Sequence, residues 1–178
     1  MPIQIGQKRE SDFSNPLGLL SDCHRRIEHF LGILSAVCER AAGRALQEDE
    51  KSAIGSALAY FQESAPKHTA DEEESLFPRL RGANALEHLA ALEADHETAE
   101  ADHRRVDELF AAWVAAGSLA AERSAQLRAA LQRLAGLYSR HIAIEDRELF
   151  PLAASILDAD QLTEIGREMA ARRGVKQP

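Results

Sequence analysis

Aromatic side chains make up only 5% of the chain, cysteines number two, and long β-branched runs are missing. That poverty leaves little from which to build a sheet, while the abundance of Ala, Leu, Glu and Arg points to helix. No stretch stays apolar for long enough to span a bilayer, and the opening residues MPIQIGQKRESDFSNP lack the apolar core of a signal peptide. A cytoplasmic location without membrane attachment is therefore the expectation. Basic residues are in the minority, with a net charge of −8 and no basic stripe, which argues against nucleic acid or an anionic membrane as partner. Cys23 and Cys38 fall on one expected helix, 15 residues apart (38 − 23) and so roughly 22 Å along its axis, too far to bridge. They read as reduced thiols. A chain of 178 residues supports one core of ordinary size rather than two.

What the chain does contain is a repeated word. HTADEEESLFP, starting at His68, and HIAIEDRELFP, starting at His141, both spell His-x-Ala-x-Glu-x3-Leu-Phe-Pro at an offset of 73 residues (141 − 68). His24 and His96 stand 72 residues apart (96 − 24), so the chain reads as a duplicated two-helix unit. In this reading the Leu-Phe-Pro ends are hydrophobic stops.

Apolar residues recur at steps of three and four in four long stretches, the pattern of amphipathic helices packed together. The stripes run through Leu20, His24, Ile27, Leu31 and Leu34; through Ile54, Leu58, Phe61, His68, Glu72 and Leu76; through Leu89, Leu92, His96, Ala99, His103 and Phe110; and through Leu127, Leu131, Leu134, Tyr138, His141 and Glu145. Gly43 to Asp49, Arg81 to Asn84 and Gly117 to Ala120 supply the short connections. The expected fold is all-α: an up-down-up-down four-helix bundle with a short fifth helix over Asp158 to Arg173, stopped by Gly174. The domain plan is an N-terminal extension over 1–16, the bundle over 17–153, and a C-terminal helix and tail over 154–178. Asn15 and Pro16 should open the first helix, and Pro66 should kink or restart the second just before His68. Counting residues from each turn sets all four stripe histidines at one depth, His68 and His96 each roughly 20 Å from their shared turn.

Glu72 and Glu145 follow His68 and His141 by four residues and so project from the same face into an apolar stripe. A buried carboxylate costs several kcal/mol unless it is paired or bound to a cation. No Lys or Arg shares the stripes at that level, whereas four imidazoles and two carboxylates form the hard and borderline donor set taken by iron, manganese or zinc. Two carboxylates shared among distributed histidines suit a two-metal centre better than one tetrahedral zinc. The candidate metal ligands are therefore His24, His68, Glu72, His96, His141 and Glu145. Glu28 and Glu100, each four residues after a histidine, are secondary candidates, and His103 reads as a channel residue or one that touches a ligand. Asp71, Glu73 and Glu74 read as a solvated face, His29 and His88 as exposed, and Tyr60 and Tyr138 as packing residues.

The spaced pattern of His24, His68-x3-Glu72, His96 and His141-x3-Glu145 resembles the hemerythrin-like, or HHE cation-binding, domain family over roughly residues 17–153. The resemblance implies a non-haem centre of two iron ions bridged by two carboxylates and an oxo or hydroxo group, with the four histidines as terminal ligands and Glu72 and Glu145 as bridges. Oxygen-carrying members have His-x3-His on the third helix, where this chain has Glu100 four residues after His96. They also have His-x4-Asp on the fourth, which Asp146 would satisfy, although the repeat favours Glu145. With one imidazole fewer and one carboxylate more, oxygen transport is not the expected task. The resemblance points instead to bacterial proteins that respond to O2, NO or peroxide, and to iron-sulfur repair proteins, whose N-terminal cysteine-containing domain this chain lacks. The expected ligand is a small diatomic or peroxide. The alternative is an iron-handling or iron-dependent interaction module without turnover. A phosphotransfer bundle would need a solvent-facing histidine, and a haem would not fit between two core glutamates.

Overall fold

The structure, a computed structural model, describes residues 11–81 and 86–175, with the backbone alone described at 86–88. Every regular element among the described residues is helical: α1 (Pro16–Ala41), α2 (Glu48–Glu63), α3 (Ala65–Ala70), α4 (Phe77–Leu80), α5 (Leu86–Ala116), α6 (Ala121–Ile144), α7 (Phe150–Ile156) and α8 (Ala159–Arg172). Two π-helical segments, Asp71–Leu76 between α3 and α4 and Glu145–Leu149 between α6 and α7, complete the order. α2 through α4 form one continuous arm and α6 with α7 another. With α1 and α5 they make the expected four-helix bundle, to which α8 is added.

The local signals explain the ends. The Asn15 side chain accepts a hydrogen bond from the Gly18 N–H and Pro16 opens α1, while Asp158 and Gln161 form a capping box at the start of α8. The arm breaks at Ser64 and restarts with Pro66 in the first turn of α3, since proline cannot donate to the preceding turn. Gly43 leaves α1 at φ +84°, and a Cβ there would collide with the Leu119 carbonyl oxygen. Only glycine permits that approach of the first and third connections. The connection expected at Arg81 to Asn84 and the side chain of His88 lie largely outside the described residues, as do residues 1–10 of the N-terminal extension.

The first connection is tied down by charge. Arg44 grips Glu50 with two hydrogen bonds of 2.9 and 2.8 Å, the Gln47 N–H donates to the same carboxylate at 3.0 Å, and the Trp113 indole N–H donates to the Arg44 carbonyl at 2.8 Å. The Arg44 hydrogen bonds, followed by that of Gln47, hold the Glu50 carboxyl down to about 2. Because the folded value is depressed, the stabilisation is complete above the ordinary carboxylate range and is lost as pH falls toward 2. Carbon-detected NMR should place the Glu50 midpoint near 2, and Arg44→Ala should raise it toward the ordinary 4.5, part of the depression remaining with the Gln47 N–H.

Two apolar clusters divide the interior. The larger contains Ile27, Leu31, Leu34, Phe110, Trp113, Leu127 and Leu134; the other contains Leu20, Leu76, Phe77, Leu92, Phe150, Ile165 and Met169. Along α1 the first begins at Ile27 and the second ends at Leu20, so His24 lies between them. His141 and Glu145 lie likewise between Leu137 and Leu149. A polar layer is thus sandwiched between two dry ones, and α8 seals the end beyond the second.

The π-helical segments correct the reading of Leu-Phe-Pro as a stop. The Phe77 N–H bonds the Glu72 carbonyl and the Phe150 N–H bonds the Glu145 carbonyl, five residues back in each case (77 − 72 and 150 − 145). Pro78 and Pro151 have no N–H for the carbonyls four residues earlier and crowd them, so the turn widens rather than ending. Helix resumes beyond it. The widened turn contains the buried glutamate in both copies, starting at Asp71 in the first and at Glu145 itself in the second.

Candidate metal centre

Each arm delivers its residues at one level. His24 comes from α1, His68 from α3 with Glu72 on the first π-helical segment, His96 from α5, and His141 from α6 with Glu145 on the second. His24, His68, Glu72 and Glu145 form one set of potential ligand atoms, and Glu72, His96, His141 and Glu145 a second, the atoms within each set lying within 4.8 Å of one another. All six sequence-predicted residues meet, and the two sets share both glutamates. His24 Nε2 lies 3.0 Å from Glu145 and 3.7 Å from Glu72; His68 and His96 approach Glu72 at 3.3 and 3.4 Å, and His141 approaches Glu145 at 3.2 Å.

Both glutamates are 0% exposed, and none of their four carboxylate oxygens has a hydrogen bond of acceptable geometry. The imidazole nitrogens are near but not aligned to donate. His24 Nε2 is likewise without a hydrogen bond, whereas His96 Nε2 and His141 Nε2 hydrogen-bond each other at 3.1 Å. Nitrogens and oxygens that converge without bonding one another fit a cation between them, and buried polar atoms left unpaired otherwise cost stability.

The electrostatics agree with that fit. Burial works against a charged His24, but the hydrogen bond with Asp146 and the close Glu145 and Glu72 carboxylates outweigh it and push the imidazole up to about 12. Burial likewise opposes the charged forms of His96 and Glu72. The Glu72 carboxylate nonetheless pushes His96 up to about 9, and the facing histidines hold Glu72 well below the ordinary carboxylate range. Without a metal, the carboxylates therefore gather protons onto His24, His68 and His96. A divalent cation would compete for the same lone pairs and release them.

A second layer follows the repeat. Glu73, next to Glu72, reaches His96 Nδ1 at 2.7 Å, and Asp146, next to Glu145, reaches His24 Nδ1 at 3.1 Å. Asp95, just before His96, stands 3.4 Å from His141 Nδ1, and Cys23, just before His24, interacts with His68. A carboxylate on the outer nitrogen turns an imidazole so that its Nε2 faces inward and increases its basicity. His68 alone has a thiol where its counterpart has a carboxylate. Helical period alone does not reveal this layer, although the acidic residue after each core glutamate is a signal that could have found it.

Several residues depart from expectation. Asp71 is not solvated: it is 0% exposed and clamped by Arg172 at 3.0 Å and Arg173 at 2.7 Å from the C-terminal end of α8. Glu73 holds His96, whereas Glu74 is exposed as expected and pairs with Arg172 at 3.1 Å. Glu100 lies at the surface against Arg104, and Glu28 is exposed, so neither enters the cluster. Asp146 contacts His24 from outside rather than replacing Glu145. His103 lies off the centre, 3.0 Å from the Tyr138 hydroxyl, and Tyr138 packs edge-on against His141. His29 is exposed, and Tyr60 stacks on Phe30 at 4.6 Å while donating to the Cys23 carbonyl at 3.3 Å.

An all-α bundle with a duplicated, buried histidine and glutamate layer defines the class of protein. Residues 15–153 match the hemerythrin HHE cation binding domain, and the chain belongs to that family. It is 29% identical over 168 residues to an uncharacterised protein of Haemophilus influenzae, covering 93% of this chain and 94% of that relative. No helix among the described residues is long and apolar enough to cross a membrane.

Proposed function

We propose that the chain is a non-haem di-iron protein that binds or reacts with O2, NO or peroxide in a stress or sensing role. His24 and His68 would hold one ion and His96 and His141 the other, with Glu72 and Glu145 offering oxygens to both. The observation that carries this reading is the pair of fully buried carboxylates shared by two ligand sets, with all four oxygens unsatisfied. Iron, when bound there, supplies one-electron redox change and a coordination position open to a small ligand. The chain's own part is to hold the ions in a dry layer between two apolar clusters, to orient His24 and His96 through Asp146 and Glu73, and to keep bulk water out.

The expected result on untagged protein grown with ample iron is about two iron atoms per chain by inductively coupled plasma mass spectrometry, the number set by the two ligand sets. Iron near zero, with zinc or nothing in its place, would sink the redox reading. Peroxide turnover by the iron-loaded protein separates a reactive centre from an iron-handling module, for which iron-dependent partner binding without turnover is expected.

A further inference from the structure

The duplication is broken where it borders the centre, and broken in one direction. Under the same offsets of 73 and 72 residues, Ala65 corresponds to Tyr138 (138 − 65), Thr69 to Ile142 (142 − 69) and Ile27 to Ala99 (99 − 27). At all three positions the small residue lies on α3 or α5 and the large one on α6 or α1. A small chamber of about 10 Å³, room for one water-sized molecule, lies among the four imidazoles. Ile27, Ile142 and Tyr138 wall it on one side, and Ala65 and Thr69 on the other.

The surroundings follow that asymmetry. Between α3 and α5 a groove of about 400 Å³ shares Ala65, Thr69, His96 and Tyr138 with the chamber and has Ala99 in its lining. Its counterpart between α1 and α6 is about 230 Å³ and shares only Tyr138 with the chamber. Ile27 and Ile142 fill the space between. Tyr138 is pinned as a wall by the 3.0 Å hydrogen bond between its hydroxyl and Nε2 of His103, an imidazole that burial keeps neutral by pushing it down to about 4. Leu31 and Ala65, at the equivalent positions of the first copy, offer no such bond. Glu73, Glu97 and Glu100 line the open groove, so its mouth disfavours anions and leaves the passage of uncharged molecules unopposed.

We infer that the α3–α5 groove is the entrance by which a small uncharged ligand of two or three atoms reaches the centre, with Ala65, Thr69 and Ala99 as its throat and Ile27, Ile142 and Tyr138 closing the equivalent path. The inference rests on the metal reading above, and the experiment separates the two. Nitric oxide association with the reduced, iron-loaded protein is followed by stopped-flow absorbance, a binding rate that involves no turnover. Thr69→Ile and Ala99→Ile transplant the plugs of the closed side, and Ala135→Leu narrows the closed groove as a control. Each of the first two is expected to slow association roughly ten-fold, with iron content and resting spectrum kept, while Ala135→Leu stays within about two-fold of the parent. Thr69 is half-buried, so its variant tests the throat even if Ala99→Ile overpacks the core. Retained iron with an unslowed Thr69→Ile, or an Ala135→Leu slowed as much, overturns the entrance; a parent chain that binds no iron overturns the metal reading instead.

Discussion

Glu72→Gln should empty both metal positions together, because Glu72 belongs to both ligand sets. Loss of a residue that only orients a ligand weakens metal binding by about 10–100-fold. Loss of a shared ligand should exceed that for both ions, whereas His68→Ala should weaken one ion more than the other. Stability supplies an independent sign. Saturating two sites stabilises the folded chain by about 2.7 kcal/mol per site at a hundred times Kd, so stripping metal from the parent should lower Tm by on the order of 10 °C. Glu72→Gln should show no such drop on chelation. In the metal-free state it should be less stable than the parent at neutral pH, since the facing histidines hold the Glu72 carboxylate well below its ordinary range and that pairing is lost in the amide. Calorimetry with and without chelator reads both effects. A variant that retained two ions, or one whose Tm fell on chelation as much as the parent's, would make the glutamate structural rather than bridging.

The second large effect belongs to α8. Removing both Arg172 and Arg173 as alanines should cost about 3 kcal/mol or more, lowering Tm by on the order of 10 °C, because Asp71 is 0% exposed and would be left as an unpaired buried carboxylate. Arg172→Ala alone should cost less, since Arg173 still faces the other carboxylate oxygen. Asp71 begins the π-helical segment that carries Glu72, so the double variant should also bind metal more weakly. An unchanged Tm and full metal content in the double variant would show that α8 merely covers the bundle end. Arg79 adds a second clamp, gripping Glu168 of α8 at 2.9 and 3.1 Å.

Much of the fold and of the centre is legible in the sequence. Periodicity of three and four places a residue on a face of its own helix, and that is enough to send His24, His68, Glu72, His96, His141 and Glu145 inward. The repeat then implies that two such units face one another. Side chains that leave a helix sideways are not legible in this way. Asp71, Glu73 and Asp146 sit beside the core stripe, where period alone assigns them to solvent, and their partners belong to helices far away in the chain. Leu-Phe-Pro misleads for a related reason: proline signals a missing hydrogen bond, but whether the helix ends or widens depends on what packs beyond it. Phe77 and Phe150 are buried in the second apolar cluster, which holds the continuing turns in place.

Helical class, the duplicated unit, the six inward donors and their common depth are properties of residue type and spacing, because the pitch of a helix converts sequence separation directly into direction and height. Which glutamate is shared by which histidines, the outer carboxylates that orient His24 and His96, the burial of Asp71 under α8 and the unequal grooves beside the centre were decided only in the tertiary structure. Each of these is a contact between different helices, and the rotation and separation of packed helices are set by the whole core rather than by any one segment.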